Sequence, residues 1–173
     1  MNVEKSTRMV LVYPVQGVCV LLGKKQVRIG EGLLCGFGGR VDPQDHATEE
    51  TDEYKNAAVR ELDEECGLRA QVDDLRYAGD LSIVNPKYPQ LGTLKIRIFT
   101  LDKWLGNPHP SEEMTPSWHK VGDLPWDRIR EVDRYWLPAV LNQRFVTAKI
   151  VYDEEEKLIE CILKITRMLA GSS

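Results

Sequence analysis

The run Arg60-Glu61-Leu62-Asp63-Glu64-Glu65 places four carboxylates within five residues, directly after an arginine. On a helix, residues three and four apart are neighbours, so Glu61, Glu64 and Glu65 can share a face. Like charges held that close repel one another and weaken the helix, so something must compensate them. Magnesium is the natural candidate. It is a hard cation that takes carboxylate oxygen, keeps several waters and bridges to substrate phosphates. A metal held there would bring an anionic phosphate chain to an acidic site, orient an attacking water and polarise phosphorus. Arg60 can pair with a neighbouring carboxylate and hold it in place. The competing reading is a solvated acidic helix face, which is what most charge runs are.

The context favours chemistry. Gly36-Phe37-Gly38-Gly39 precedes the acidic run, Asp52 lies upstream of Arg60, and Gly67-Leu68 closes the segment. This arrangement resembles the box of the Nudix hydrolases, G-x5-E-x7-R-E-U-x-E-E-x-G-U, with U apolar. Arg60, Glu61, Leu62, Glu64, Glu65, Gly67 and Leu68 match it throughout. Gly39 matches the leading glycine, and Asp52 stands for the first glutamate. Twelve residues separate these two where the box has five, which reads as a seven-residue insertion. The insertion, at about residues 42–50, is expected to bulge into solvent, since long surface loops cost little.

The order of segments further resembles the MutT homologues that hydrolyse oxidised purine nucleoside triphosphates. Shared stretches are Leu21 to Lys25, Gly36 to Val41, Glu113 to Trp118, Leu124 to Trp126 and Asp133 to Pro138. The resemblance implies a Nudix α/β/α sandwich with a mixed β-sheet, in one domain over residues 1–173. It implies that Glu61, Glu64 and Glu65 hold magnesium, or manganese in its place, with the Gly38 carbonyl and Glu113 completing the site. Arg60 supports that group. Glu65 or Glu113 orients or deprotonates the water. Lys25 approaches the phosphates or sugar, Cys35, Phe37, Gly39 and Arg130 border the substrate, and Asp133 hydrogen-bonds the base. Each has a plain alternative: Asp133 as a helix cap, Lys25 as a solvated lysine, Glu113 as a surface residue, and Trp118, Trp126 and Trp136 as core or pocket wall.

The base pocket departs from that pattern. Cys35 stands where those enzymes carry Asn, Val132-Asp133 where they carry two Asp residues, and Arg130 where they carry Trp. Asn donates and accepts together, whereas a thiol does both weakly. A guanidinium plane can still stack on an aromatic ring. These changes touch specificity and leave the bond that breaks alone. The expected activity is pyrophosphohydrolysis of a nucleoside triphosphate, oxidised purines such as 8-oxo-dGTP first. Dihydroneopterin triphosphate or a nucleotide sugar are the alternatives within the family. A non-catalytic Nudix-fold binding module would usually have lost one of the metal glutamates, and this chain keeps all three.

The elements that must position these residues are legible from pattern. Met9 to Pro14 and Val18 to Leu22 read as two strands joined by a tight turn, dense enough to be buried on both faces. Lys24 to Glu31 reads as a loop. Asp52 to Cys66 reads as a helix, with Ala58, Leu62 and Cys66 on one face and Gly67 as a left-handed cap. Arg76 to Val84, Thr93 to Leu101 and Trp118 to Val121 are strands. Asp123 is placed to cap a short helix entered through Leu124-Pro125. Tyr135 to Arg144 is a second helix, with Pro138 tolerable only in its first turn. Thr147 to Tyr152 and Leu158 to Ile165 form a closing hairpin.

The whole is one α/β domain of 173 residues with a net charge of −4, an unfavourable balance for non-specific binding of nucleic acid polymers. The four scattered cysteines make neither a zinc site nor a disulfide framework and suit a reducing compartment. No secretory leader or membrane span is apparent. A cytoplasmic monomer acting on a small nucleotide is expected.

Overall fold

The computed structural model describes residues 5–27 and 29–168. Its strands are β1 (Ser6–Gln16), β2 (Cys19–Lys25), β3 (Leu34–Cys35), β4 (Arg76–Val84), β5 (Thr93–Leu101), β6 (Met114–Lys120), β7 (Arg144–Tyr152) and β8 (Leu158–Arg167). Two helices, α1 (Glu53–Cys66) and α2 (Asp133–Leu141), cover them. The strands join in the order β3-β2-β1-β5-β4-β7-β8, with β6 also paired to β2. The β1–β5 and β4–β7 pairs are parallel and the rest antiparallel, so the sheet is mixed, as expected.

The unbroken apolar character of β1 has a direct consequence: both faces must be covered. Val10 and Val12 pack with Phe99, Leu101 and the α1 residues Ala57, Ala58, Leu62 and Cys66. Tyr13 packs on the opposite side with Ile98, Ala148, Ile150 and the α2 residues Trp136, Leu137 and Val140. A helix on each face of a mixed sheet is the α/β/α sandwich. No helix among the described residues is long and apolar enough to cross a membrane.

Helix α1 begins where the sequence says it should. Asp52 is its N-cap, accepting from the Lys55 N–H at 2.8 Å. Gly67 ends it at φ 73°, its N–H donating to the Asp63 carbonyl. Helix α2 differs from the expected span: it starts two residues earlier, at Asp133, and ends at Leu141, because Arg144 already belongs to β7. Pro138 therefore lies inside the helix, beyond the first turn. It lacks the N–H that would bond one turn back. The burial of Trp136, Leu137 and Val140 against the sheet outweighs that loss. Asp123 caps no helix and instead ends a 3₁₀ turn, Val121–Asp123, with a second such turn at Trp126–Arg128.

Strand β1 changes partners along its length, and this positions the glycine segment. Only Val15 and Gln16 pair with β2. Nearer its start, β1 bonds residues 37–41. Val12 and Phe37 exchange N–H to carbonyl bonds, Val10 N–H donates to Gly39, and Val41 N–H donates to Arg8. The backbone of Gly38 and Gly39 is thus clamped to the sheet edge beside α1.

Candidate active site

Helix α1 turns Ala57, Ala58, Leu62 and Cys66 into the sheet, and its geometry then sets Glu61, Glu64 and Glu65 along the adjoining edge. Glu61, Glu64 and Glu65 line a recess of about 290 Å³ together with Ser111, Glu112 and Glu113. The sequence-derived metal group is therefore gathered in one place. Glu65 is the deepest of them, 5% exposed, and Gly38 N–H donates to its Oε2 at 2.7 Å. Burial pushes the Glu65 carboxyl up to about 8, helped by Glu61 and Glu113 and opposed by Gly38 and Lys25. Burial also raises Glu61, with Arg60 opposing and Glu64 and Glu113 assisting.

Arg60 organises this group. Its Nη1 donates to Glu61 Oε1 at 2.9 Å and to Glu64 Oε2 at 3.0 Å, and its Nη2 to the Arg40 carbonyl at 3.0 Å. Its other partner is Asp45, held bidentately with both bonds at 2.9 Å. Asp45 is 3% exposed, so the expectation of a solvent-facing insertion from residue 42 fails at this position, although the residues from His46 to Glu50 are exposed. Asp45 lies six positions after Gly39, the spacing of the box itself. Asp45 thus takes the acidic place that the sequence reading gave to Asp52, and the extra residues fall after it.

Oxygen donors in a half-buried recess fit a hard divalent cation. The buried Glu65, disfavoured as a lone anion, is a site where a cation would restore the charged form. Among the described residues no three carboxylates are drawn into a closed coordination set as they stand. Gly38 enters through its N–H. Gly39 makes room: a Cβ there would overlap the Glu61 carboxylate. Gly39→Ala should lower turnover about a hundredfold, by displacing Glu61 from the recess, with the fold retained. Parallel measurement of kcat and circular dichroism checks this, and unchanged kcat would show that Glu61 needs no such space.

Outside the recess, Lys25 lies within electrostatic reach of both Glu65 and Cys35. Part of the Cys35 residue is open to solvent, yet burial pushes its thiol up to about 12. A Cβ added at Gly30 would lie 3.4 Å from Arg130 Nη2 and 3.7 Å from Lys25 Cδ, so both side chains reach over this glycine. Arg130 then lines a cleft of about 740 Å³ whose walls include Ile83, Leu94, Ile129 and Tyr152. Asp133 is buried beside it, its carboxyl pushed up to about 6 by burial and held back by Arg130. The Trp136 N–H also favours the charged form, short of a well-formed hydrogen bond. Asp133 makes no cap bond; Val132 is the N-cap residue of α2.

Phe37 is not a substrate contact. Its ring is fully buried in the α1-side core, where the residues clamped to β1 turn it inward. Trp136 is core, Trp126 packs partly buried against the same α2-side core, and Trp118 stacks on Trp104. Sequence reasoning missed Asp45 and Tyr152. The spacing from Gly39 pointed to the first; no local pattern marked the second.

The sequence matches the NUDIX domain family over residues 4–140. It is 32% identical over 154 residues to an oxidized purine nucleoside triphosphate hydrolase of Mus musculus, covering 89% of this chain and 92% of that protein. A protein of the same name from Danio rerio is 33% identical over 158 residues, with 90% and 92% covered. The fold matches the crystal structure of a MutT protein from Bacillus halodurans with a TM-score of 0.72 at 19% identity, over 91% of this chain and 97% of the other. The chain belongs to the Nudix family. Within it, the protein is a Nudix hydrolase, a class that works with a divalent metal on small nucleotide substrates.

Proposed function

We propose that this hydrolase is a magnesium-dependent pyrophosphohydrolase of oxidised purine nucleoside triphosphates, releasing a monophosphate and pyrophosphate in the cytoplasm. The carrying observation is the acidic recess of Glu61, Glu64, Glu65 and Glu113, with Lys25 within electrostatic reach of Glu65 and Cys35, and a separate cleft of mixed polar and apolar lining that holds Arg130, with Asp133 buried beside that arginine. The recess suits a metal-bound phosphate chain and the cleft a flat heterocycle. The names of the mouse and zebrafish relatives support the oxidised purine. The four free thiols support a reducing compartment.

Glu61, Glu64, Glu65 and Glu113 would hold the cation, which supplies charge neutralisation and activation of water when bound. Arg60 fixes Glu61 and Glu64 through its paired N–H groups. Gly38 fixes Glu65 through Oε2, so Oε1 is the oxygen that holds or takes a proton from water. Lys25 meets the negative charge of the chain. The cleft's apolar side chains, among them Ile83, Leu94 and Ile129, would pack against the head group.

A second reading has its own support in Cys35, Val132 and Arg130, which alter the base end and favour another triphosphate head. Pyrophosphate release with magnesium and with chelator, across 8-oxo-dGTP, unmodified dNTPs and dihydroneopterin triphosphate, with nucleoside monophosphate release read for a nucleotide sugar, separates the two. Magnesium-dependent release from 8-oxo-dGTP well above dGTP is expected. Release from dihydroneopterin triphosphate alone would move the assignment to the second reading.

A further inference from the structure

Among the described residues, the buried side-chain polar atoms without a hydrogen-bond partner are Tyr13 Oη, Arg97 Nε, Trp136 Nε1 and Tyr152 Oη. Arg97 is accounted for: its guanidinium lies 4.0 Å from the Tyr54 ring centroid and 5.1 Å from that of Tyr77. The other three gather at one place. Tyr13 stacks edge-on against Trp136 at 6.1 Å, Trp136 lies one turn after Asp133, and Tyr152 is within electrostatic reach of Arg130 and Asp133. Tyr13 and Trp136 are wholly enclosed, but Tyr152, 8% exposed at the end of β7, lines the cleft.

An unpartnered buried hydroxyl costs stability, and a phenylalanine at the same place would avoid that cost. A hydroxyl kept there, on a residue that lines a binding cleft, calls for a partner that the fold does not supply. The available donors and acceptors define it. Guanidinium donates only, a phenol O–H donates readily, and a carboxylate accepts. A ring carbonyl oxygen has two lone pairs for two donors, and the lactam N–H beside it suits the carboxylate.

We infer that Tyr152 is a specificity residue whose hydroxyl, with the Arg130 guanidinium, donates to a ring carbonyl on the substrate's head group while Asp133 accepts the adjacent N–H. The cleft therefore selects oxo-bearing bases over adenine, whose amino group would face two donors and leave both unpaired. This rests on the reading of the same site as a purine nucleotide site and names the edge by which the base is recognised.

The test is binding of nucleoside monophosphates to metal-free protein by calorimetry, so that no turnover is needed. Wild type should bind 8-oxo-dGMP more tightly than dAMP. Tyr152→Phe should weaken 8-oxo-dGMP about tenfold or more and leave dAMP within about twofold. Its melting temperature should stay the same or rise, since only an unpartnered group is lost. Equal weakening of both ligands, no weakening, or a fall in melting temperature would overturn the inference, the last by revealing a partner within the fold. Selective binding by a protein that hydrolyses no purine triphosphate would defeat the proposed reaction and leave the role of Tyr152 standing.

Discussion

Exchanging Glu65 for glutamine should lower turnover by about two to three orders of magnitude while the protein stays folded. The amide keeps an oxygen for the Gly38 N–H but loses the charge that would hold a cation and the site that would take a proton. The same variant carries a stability signature. Burial raises the folded Glu65 carboxyl from its ordinary 4.5 to about 8. The unfolded chain ionises near the ordinary value, so the stability held by the neutral form is present below it and is lost as pH rises through about 8. Without metal, the wild-type melting temperature should fall between about pH 5 and about pH 8, and Glu65→Gln should flatten most of that slope. The raised Glu61 carboxyl contributes to what slope remains. A divalent cation, binding the charged form, should stabilise wild type more as pH rises. Thermal unfolding across that range, with chelator and with magnesium, reads these effects together. Retained turnover in Glu65→Gln would remove the recess from the chemistry, and a wild-type slope identical to the variant's would show that Glu65 is not the buried acid.

The parts of this molecule that announce themselves in sequence are those fixed by local pattern. Helix α1 has its apolar stripe, its Asp52 cap and its Gly67 stop in the order that chain geometry demands. Strands β4 and β5 have the bounds that alternation indicates. Spacing along one helix likewise puts Glu61, Glu64 and Glu65 together. What escapes pattern depends on partners distant in sequence. The two residues of β3 are a strand only because Gly23 and Lys24 lie opposite them. Phe37 sits among glycines and reads as a ligand contact, yet pairing with β1 turns its ring into the core. Pro138 argues against a helix interior, and tertiary packing overrides it. Tyr152 reaches the cleft because β7 lies parallel to β4, a pairing that the residues around Tyr152 do not encode.

Asp45→Asn should lower turnover by about tenfold to a hundredfold and destabilise the protein by about 2–3 kcal/mol. Asp45 is the residue that holds Arg60 from the side away from the glutamates. The Arg60 guanidinium beside it keeps the Asp45 carboxyl below its ordinary 3.8. Asparagine would turn an amide toward two donors, leaving Arg60 bound chiefly to Glu61 and Glu64, in competition with any cation. Because the folded carboxyl is depressed, its stabilisation is present above the ordinary value and lost as pH falls through the folded one. The stabilities of wild type and Asp45→Asn should therefore converge in acid, below about pH 4. Asp52→Ala is the contrasting variant. It loses the N-cap of α1, at about 1 kcal/mol, and should leave turnover nearly unchanged. The pair distinguishes two alignments of one motif. If Asp45 carries the acidic position, only its loss disturbs Arg60 and the recess. If loss of Asp52 silences the enzyme while Asp45→Asn does not, the extra residues precede the motif's acid after all, and the Arg60–Asp45 bonds serve only to anchor the loop.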